Sequence, residues 1–189
     1  MLTLYKSMIR SYLEYCCPLW HPYDHIANTQ TLESVQRLFT SKLQGYGVMD
    51  YWSRLKALRL ISLERRRERY IIIYIWKIIQ GLAPNDLNIA WYFNDRSGIR
   101  VRIPRHKSNG ILKNTIAVIG PRLWNTLPKE VSLEQSLIPF KSGLQCFLKT
   151  IPDITPTKRY PYSRNSILDY MMNKNYYLSA QGGQRHCTA

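Results

Sequence analysis

Glu64 and Glu68 stand four residues apart in the run Glu64-Arg65-Arg66-Arg67-Glu68-Arg69, which holds four arginines in five positions. Metal-dependent phosphoryl transfer needs carboxylates that converge on divalent ions. Acids are sparse in this chain, and two glutamates spaced i,i+4 among arginines read as surface ion pairs. His21 and His25 lie near Cys16 and Cys17, but Pro22 separates the histidines and the spacing matches no common zinc site. No nucleophile–base pairing, phosphate-cradling glycine loop or dinucleotide motif is present. The sequence therefore predicts no catalytic residue, no metal site and no cofactor: the chain is expected not to be an enzyme.

Arginine is the residue with chemistry to offer. One basic cluster comprises Arg54, Lys56, Arg59, Arg65, Arg66, Arg67 and Arg69, and a second Arg96, Arg100, Arg102, Arg105, His106 and Lys107. Guanidinium forks suit phosphate oxygens, and aromatic side chains between them can stack on bases. Fourteen tyrosines and five tryptophans are available, although Trp20, Trp52, Trp76 and Trp124 are expected mostly in the core. Lys and Arg outnumber Asp and Glu 27 to 12, a net charge of +15 that points to a polyanion, nucleic acid before an anionic membrane surface. A solubility role for the charge is the plainer alternative.

These residues need elements to position them. The central one is Ser62–Gly81, read as a helix with a polar start at Ser62 and a stop at Gly81. Its second half is apolar on nearly every side, which suits a helix wrapped by others. Its ten-residue apolar run is too short for a membrane span. On its wheel Arg67 falls beside Leu63, Tyr70 and Tyr74, and is expected to be a buried cation paired with Glu33 or Glu64. Arg65, Arg66 and Arg69 point away. The predicted phosphate-binding residues are therefore Arg65, Arg66, Arg69, Arg100, Arg102, Arg105 and Lys107.

Before this helix, periodicity predicts helices at Leu2–Tyr15, Thr31–Leu43 (stripe Leu32, Val35, Gln36, Phe39, Leu43) and Tyr51–Leu58, the last with Arg54 and Lys56 outward. After it, Ile99, Val101 and Ile103 alternate with Arg100 and Arg102, predicting a strand with a basic outer face. Thr115–Ile119 is its expected antiparallel partner, followed by short and longer helices at Arg122–Leu127 and Ser136–Phe147. With 45% apolar residues the expected fold is mainly α: a small helical domain over 1–151 with one short β-hairpin. Residues 152–189 are expected to form an extended, poorly ordered tail, with one or two helical turns at Ile167–Met172. Cys16, Cys17, Cys146 and Cys187 show no disulfide framework, predicting reduced thiols in an intracellular protein, in nucleus or cytoplasm.

The blocks LYKSMIRSYLEYCCPLWHPY, LESVQRLFTSKL, YWSRLKALRLISLERRRERYIIIYIWKIIQGLAP, GPRLWNTLPKEV and FKSGLQCFL occur in this order. Together they resemble the C-terminal, thumb or post-palm region of non-LTR (LINE-type, jockey-like) retrotransposon reverse transcriptases. The resemblance covers about residues 4–169 and leaves 170–189 unmatched. It implies a parent RNA-directed DNA polymerase with an upstream endonuclease and a palm carrying paired catalytic aspartates, a motif this chain lacks. It implies that this region holds template RNA and primer, as RNA, RNA–DNA or DNA duplex, beside the missing palm and fingers; the first helix begins without a capping residue, which hints that Met1 cuts into a longer parent. The alternatives are a helical protein-interaction module and a non-functional remnant of a degraded element.

Overall fold

A computed structural model describes residues 1–23, 25–105, 114–152 and 165–172. The domain is mainly α-helical with one two-stranded antiparallel hairpin. Helix α6, Leu63–Ile79, is its axis. The Ser62 hydroxyl accepts the Arg65 N–H at 3.3 Å, capping the start, and Gly81 takes φ +70° just beyond the end, where a side chain would be strained. Ile71, Ile72, Ile75, Trp76 and Ile78 are all buried, so the helix is enclosed around most of its second half, with Lys77 left exposed.

The enclosing shell comes from both ends of the chain. Ahead of α6, α1 (Leu2–Leu4) continues through a π-helical turn, Tyr5–Ile9, into α2 (Arg10–Glu14). Then follow α3 (Cys17–Trp20), α4 (Ile26–Ser41) and α5 (Tyr51–Ala57). After it come β1 (Trp91–Asn94), β2 (Gly98–Val101), α7 (Ile116–Trp124), α8 (Lys129–Ser132), α9 (Leu137–Thr150) and α10 (Ile167–Met172). Trp76 of α6 stacks on Phe140 of α9 at 5.2 Å between centroids, and Trp124 of α7 stacks on Phe140 at 5.9 Å. A Cβ on Gly120 would come within 2.6 Å of Ile75 Cδ1, so α7 lies against α6 at a distance only glycine permits.

Several expectations need correction. The expected second strand, Thr115–Ile119, is the start of α7: Ile116, Ile119 and Leu123 recur at helical spacing and bury against α6, and this packing overrides their β-branched preference. The hairpin instead pairs β2 with the preceding Trp91–Asn94. The fully buried face of α4 is polar, Thr29, Glu33, Gln36 and Thr40: of the expected stripe Gln36 is buried, while Val35 is exposed. These polar groups are retained inside because each is bonded. Glu33 accepts the Leu63 N–H at 2.9 Å and the Tyr51 hydroxyl, while Gln36 accepts from the Tyr5 hydroxyl and donates to Tyr51 and Ile61 O.

Within the expected tail, 165–172 belong to the fold. Ile167, Leu168 and Tyr170 join the main core. The Glu68 carboxylate accepts the Ile167 N–H at 2.6 Å and the Ser166 hydroxyl at 2.5 Å, and Glu64 accepts the Asn165 N–H at 2.9 Å. The two glutamates expected as surface ion pairs are thus buried clamps on a segment about a hundred residues away. The rest of the tail lies outside the described residues.

Candidate nucleic-acid interface

The predicted phosphate-binding residues separate into two groups. Arg65 is 2% exposed and donates to the carbonyls of Ile151 (2.9 Å), Pro152 (3.1 Å) and Asn165 (3.3 Å), stitching α9 to the 165–172 segment. Its wheel position is outward, but outward is where the returning chain packs. Arg66 is half-buried and grips Glu14 through both forks, one contact at 2.9 Å, with the Tyr70 hydroxyl at 3.3 Å. Burial lowers the Arg66 pKa, and the Glu14 carboxylate together with Tyr70 raises it to a net increase. Arg69 is half-buried beside the Tyr70 ring, 5.9 Å from its centroid. Burial takes Arg65 out of the expected interface, while Arg66 and Arg69 are half-buried rather than standing free along an exposed helix face.

Arg67 is fully buried, as its wheel position implied, with Nε donating to His21 Nδ1 at 3.2 Å. Burial pulls its pKa down, and the charges of Glu33 and Glu64 pull it back up. Arg54, expected outward, is also buried and donates to Met49 O at 2.6 Å, Arg37 O and Thr40 Oγ1.

The hairpin is different. Residues Trp91↔Val101, Tyr92↔Arg100, Phe93↔Ile99 and Asn94↔Gly98 are paired. β2 is fastened to the end of α7: Asn125 Oδ1 accepts the Val101 N–H at 3.0 Å and its Nδ2 donates to Val101 O at 2.8 Å. The Trp124 indole donates to Ile99 O at 2.9 Å, and Arg100 donates to Asn125 O. Lys129 of α8 holds the turn through Asp95 O. Arg100 therefore positions the hairpin and pairs across from Tyr92. Arg102 and Arg105 are exposed, as is Arg96 in the turn, and Lys107 lies outside the described residues.

The outer strand β1 carries what the sequence reading passed over. Trp91, Tyr92 and Phe93 are 43%, 53% and 60% exposed in succession. Cross-strand pairing puts Trp91 and Phe93 on one face, about 7 Å apart along the strand, and Tyr92 on the other. The available signal was three adjacent aromatics beside a basic strand; it was hidden because aromatics usually mark a core. The result is a hairpin with Trp91 and Phe93 exposed on one face, Tyr92 on the other with Arg100 and Arg102, and Arg96 exposed in the turn, all on a backbone pinned to the core.

Among the described residues no group of three or more His, Cys, Asp or Glu is placed to hold a metal ion, and no helix is long and apolar enough to cross a membrane. His21 is buried against Arg67, whereas His25 and Cys16 are exposed. No protein-family model, no curated protein and no solved structure matches the chain.

Proposed function

We propose that the chain is a non-catalytic nucleic-acid-binding module, related to the region that follows the palm of LINE-type reverse transcriptases, and that it contacts single-stranded RNA or DNA through the hairpin. The observation that carries this reading is three successive exposed rings, Trp91, Tyr92 and Phe93, on a hairpin whose turn and second strand lead to exposed Arg96, Arg102 and Arg105. Aromatic rings accept any base face and arginines follow the phosphates, a combination that favours unpaired strands with little sequence preference. The relation to the polymerases rests on the ordered sequence blocks, and absence of catalysis on the missing carboxylate pair.

The test compares a single-stranded oligonucleotide with its duplex by fluorescence anisotropy at several salt concentrations. Tighter, salt-dependent binding of the single strand is expected; equal binding of duplex, or none of either, defeats the hairpin reading. Primer-extension assays with magnesium or manganese should show no product.

A second reading, the protein-interaction module, is favoured by α1 and α2. Leu4 (59%), Met8 (66%) and Tyr12 (83%) follow one another at i,i+4 and are exposed, an apolar stripe of the kind that covers a partner helix or the palm of a parent polymerase.

A further inference from the structure

At the junction of α2 and α6 several cations share one carboxylate. A cavity of about 300 Å³ opens there, lined by Lys6, Arg10, Glu14, Tyr15, Arg66 and Tyr70. Both Glu14 oxygens are engaged by Arg66. Arg10 Nε lies 3.9 Å from Glu14 Oε1, beyond hydrogen-bond range, and is buried with no hydrogen-bond partner among the described residues. Arg69 Nε, on the next turn of α6, is buried in the same state and adds charge without lining the cavity. The electrostatics agree: burial first, and then the neighbouring Arg66, hold the Arg10 guanidinium below its ordinary pKa.

Lys6, Arg10 and Arg66 against Glu14 leave two uncompensated positive charges on the cavity wall, together with a buried donor that lacks an acceptor. Buried guanidinium N–H groups are normally satisfied, so this arrangement calls for an anion rich in acceptor oxygens. A phosphate carries close to two negative charges at neutral pH and presents three such oxygens. We propose that this cavity binds a phosphate group, carried by a small phosphorylated molecule or by the end of a nucleic-acid strand. Tyr15, 75% exposed at the rim, is placed to cover the group attached to the phosphate. The site uses none of the hairpin residues and stands or falls separately from the hairpin reading.

The test titrates the full chain with inorganic phosphate against chloride at matched ionic strength, followed by phosphorus NMR line broadening. Saturable binding is expected, weakened roughly tenfold or more in Arg10→Gln, the effect of losing one charge-assisted hydrogen bond. The Arg10 side chain makes no hydrogen bond among the described residues and only a long ion pair with Glu14, so the variant should keep its circular dichroism and melting temperature. If Arg10→Gln fails to fold, the half-exposed Lys6→Gln replaces it with the same expected loss. Trp91→Ala with Phe93→Ala should bind phosphate as the parent does, which separates failure of this site from failure of the hairpin. A 5′-phosphorylated oligonucleotide preferred over its 5′-hydroxyl twin, with the preference lost in Arg10→Gln, assigns the phosphate to a strand end. Equal affinity for the two oligonucleotides, with saturable inorganic phosphate, assigns it to a small molecule. No saturable phosphate binding, or unchanged binding in Arg10→Gln and Lys6→Gln, overturns the proposal.

Discussion

The arginines of α6 and those of the hairpin have the same side chain and come from equally basic stretches, yet they have opposite fates. Arg65 and Arg67 are buried, Arg66 is tied to Glu14, and their donors serve carbonyls, a histidine and a carboxylate of the same chain. Arg96, Arg102 and Arg105 stay in water. A helix enclosed by elements from both ends of the chain consumes its charges as internal fasteners, whereas an edge hairpin pinned through its backbone leaves side chains free. Net charge therefore counts residues, not sites.

The largest effect expected from this contrast is on stability. Arg65→Ala removes a donor to three carbonyls and leaves a buried gap, so unfolding in urea should show a loss of about 3 kcal/mol or more. Protease should then cut around 165–172, which Arg65 and the two glutamates hold down. Arg102→Ala should stay within about 0.5 kcal/mol of the parent. Similar losses at both positions would erase the distinction between fastener and free charge.

Next in size is binding. Exposed Trp91 and Phe93 contribute little to the core, so replacing both by alanine should leave melting nearly unchanged. Stacking contributes about 1–3 kcal/mol per base, so each ring removed should weaken single-strand binding roughly ten- to hundredfold. The anisotropy titration measures this directly, and an unaltered affinity would hand the lead to the protein-interaction reading.

A third effect separates the buried clamp from the exposed surface by pH. Burial first, then the charge of Glu64, push the Glu68 carboxyl from 4.5 up to about 8. A carboxyl whose folded pKa exceeds its unfolded one binds its proton more tightly when folded. Its contribution is full below about pH 4.5 and is lost as pH rises towards about 8. Glu33, raised by burial, acts with the same sign. Glu68→Gln mimics the protonated form, and thermal melts from about pH 5 to 8 should show a shallower decline than the parent. Identical slopes would mean that Glu68 is charged throughout.

Much of this architecture was legible in the sequence. The extent of α6, its Ser62 start and its Gly81 stop follow from local rules, and so do the inward Arg67 and the helix at 137–150. Long-range packing was not legible. A helical wheel has an inside and an outside, but α6 has chain on both, and nothing local shows that 165–172 returns to cover Arg65 and Glu68. Most of the polar interior of α4 was missed for a related reason: Gln36 lies on the expected stripe, but Thr29, Glu33 and Thr40 do not, and Glu33 is buried because Tyr51 and the start of α6 meet it, not because of its own period. At the site, Arg102 is exposed as the basic outer face of its strand implies, while the exposed rings at Trp91–Phe93 were missed because ring exposure depends on what packs over the hairpin.

The smallest effect is the one that tests the free arginines themselves. If Arg102 and Arg105 each neutralise one phosphate of a bound single strand, each releases condensed counterions. Replacing either by glutamine should lower the slope of log K against log salt by about 0.7, and the double variant by about 1.4. The loss should be the same for any base sequence, because phosphate contacts position a strand without reading it. Arg100→Gln should behave otherwise: its donor serves Asn125 O, so it should loosen the hairpin with little change in salt slope. The comparison needs only anisotropy titrations from about 50 to 200 mM salt on three variants. A slope that falls for Arg100→Gln as much as for Arg102→Gln would mean that Arg100 leaves Asn125 O to meet the strand on the face it shares with Tyr92 and Arg102.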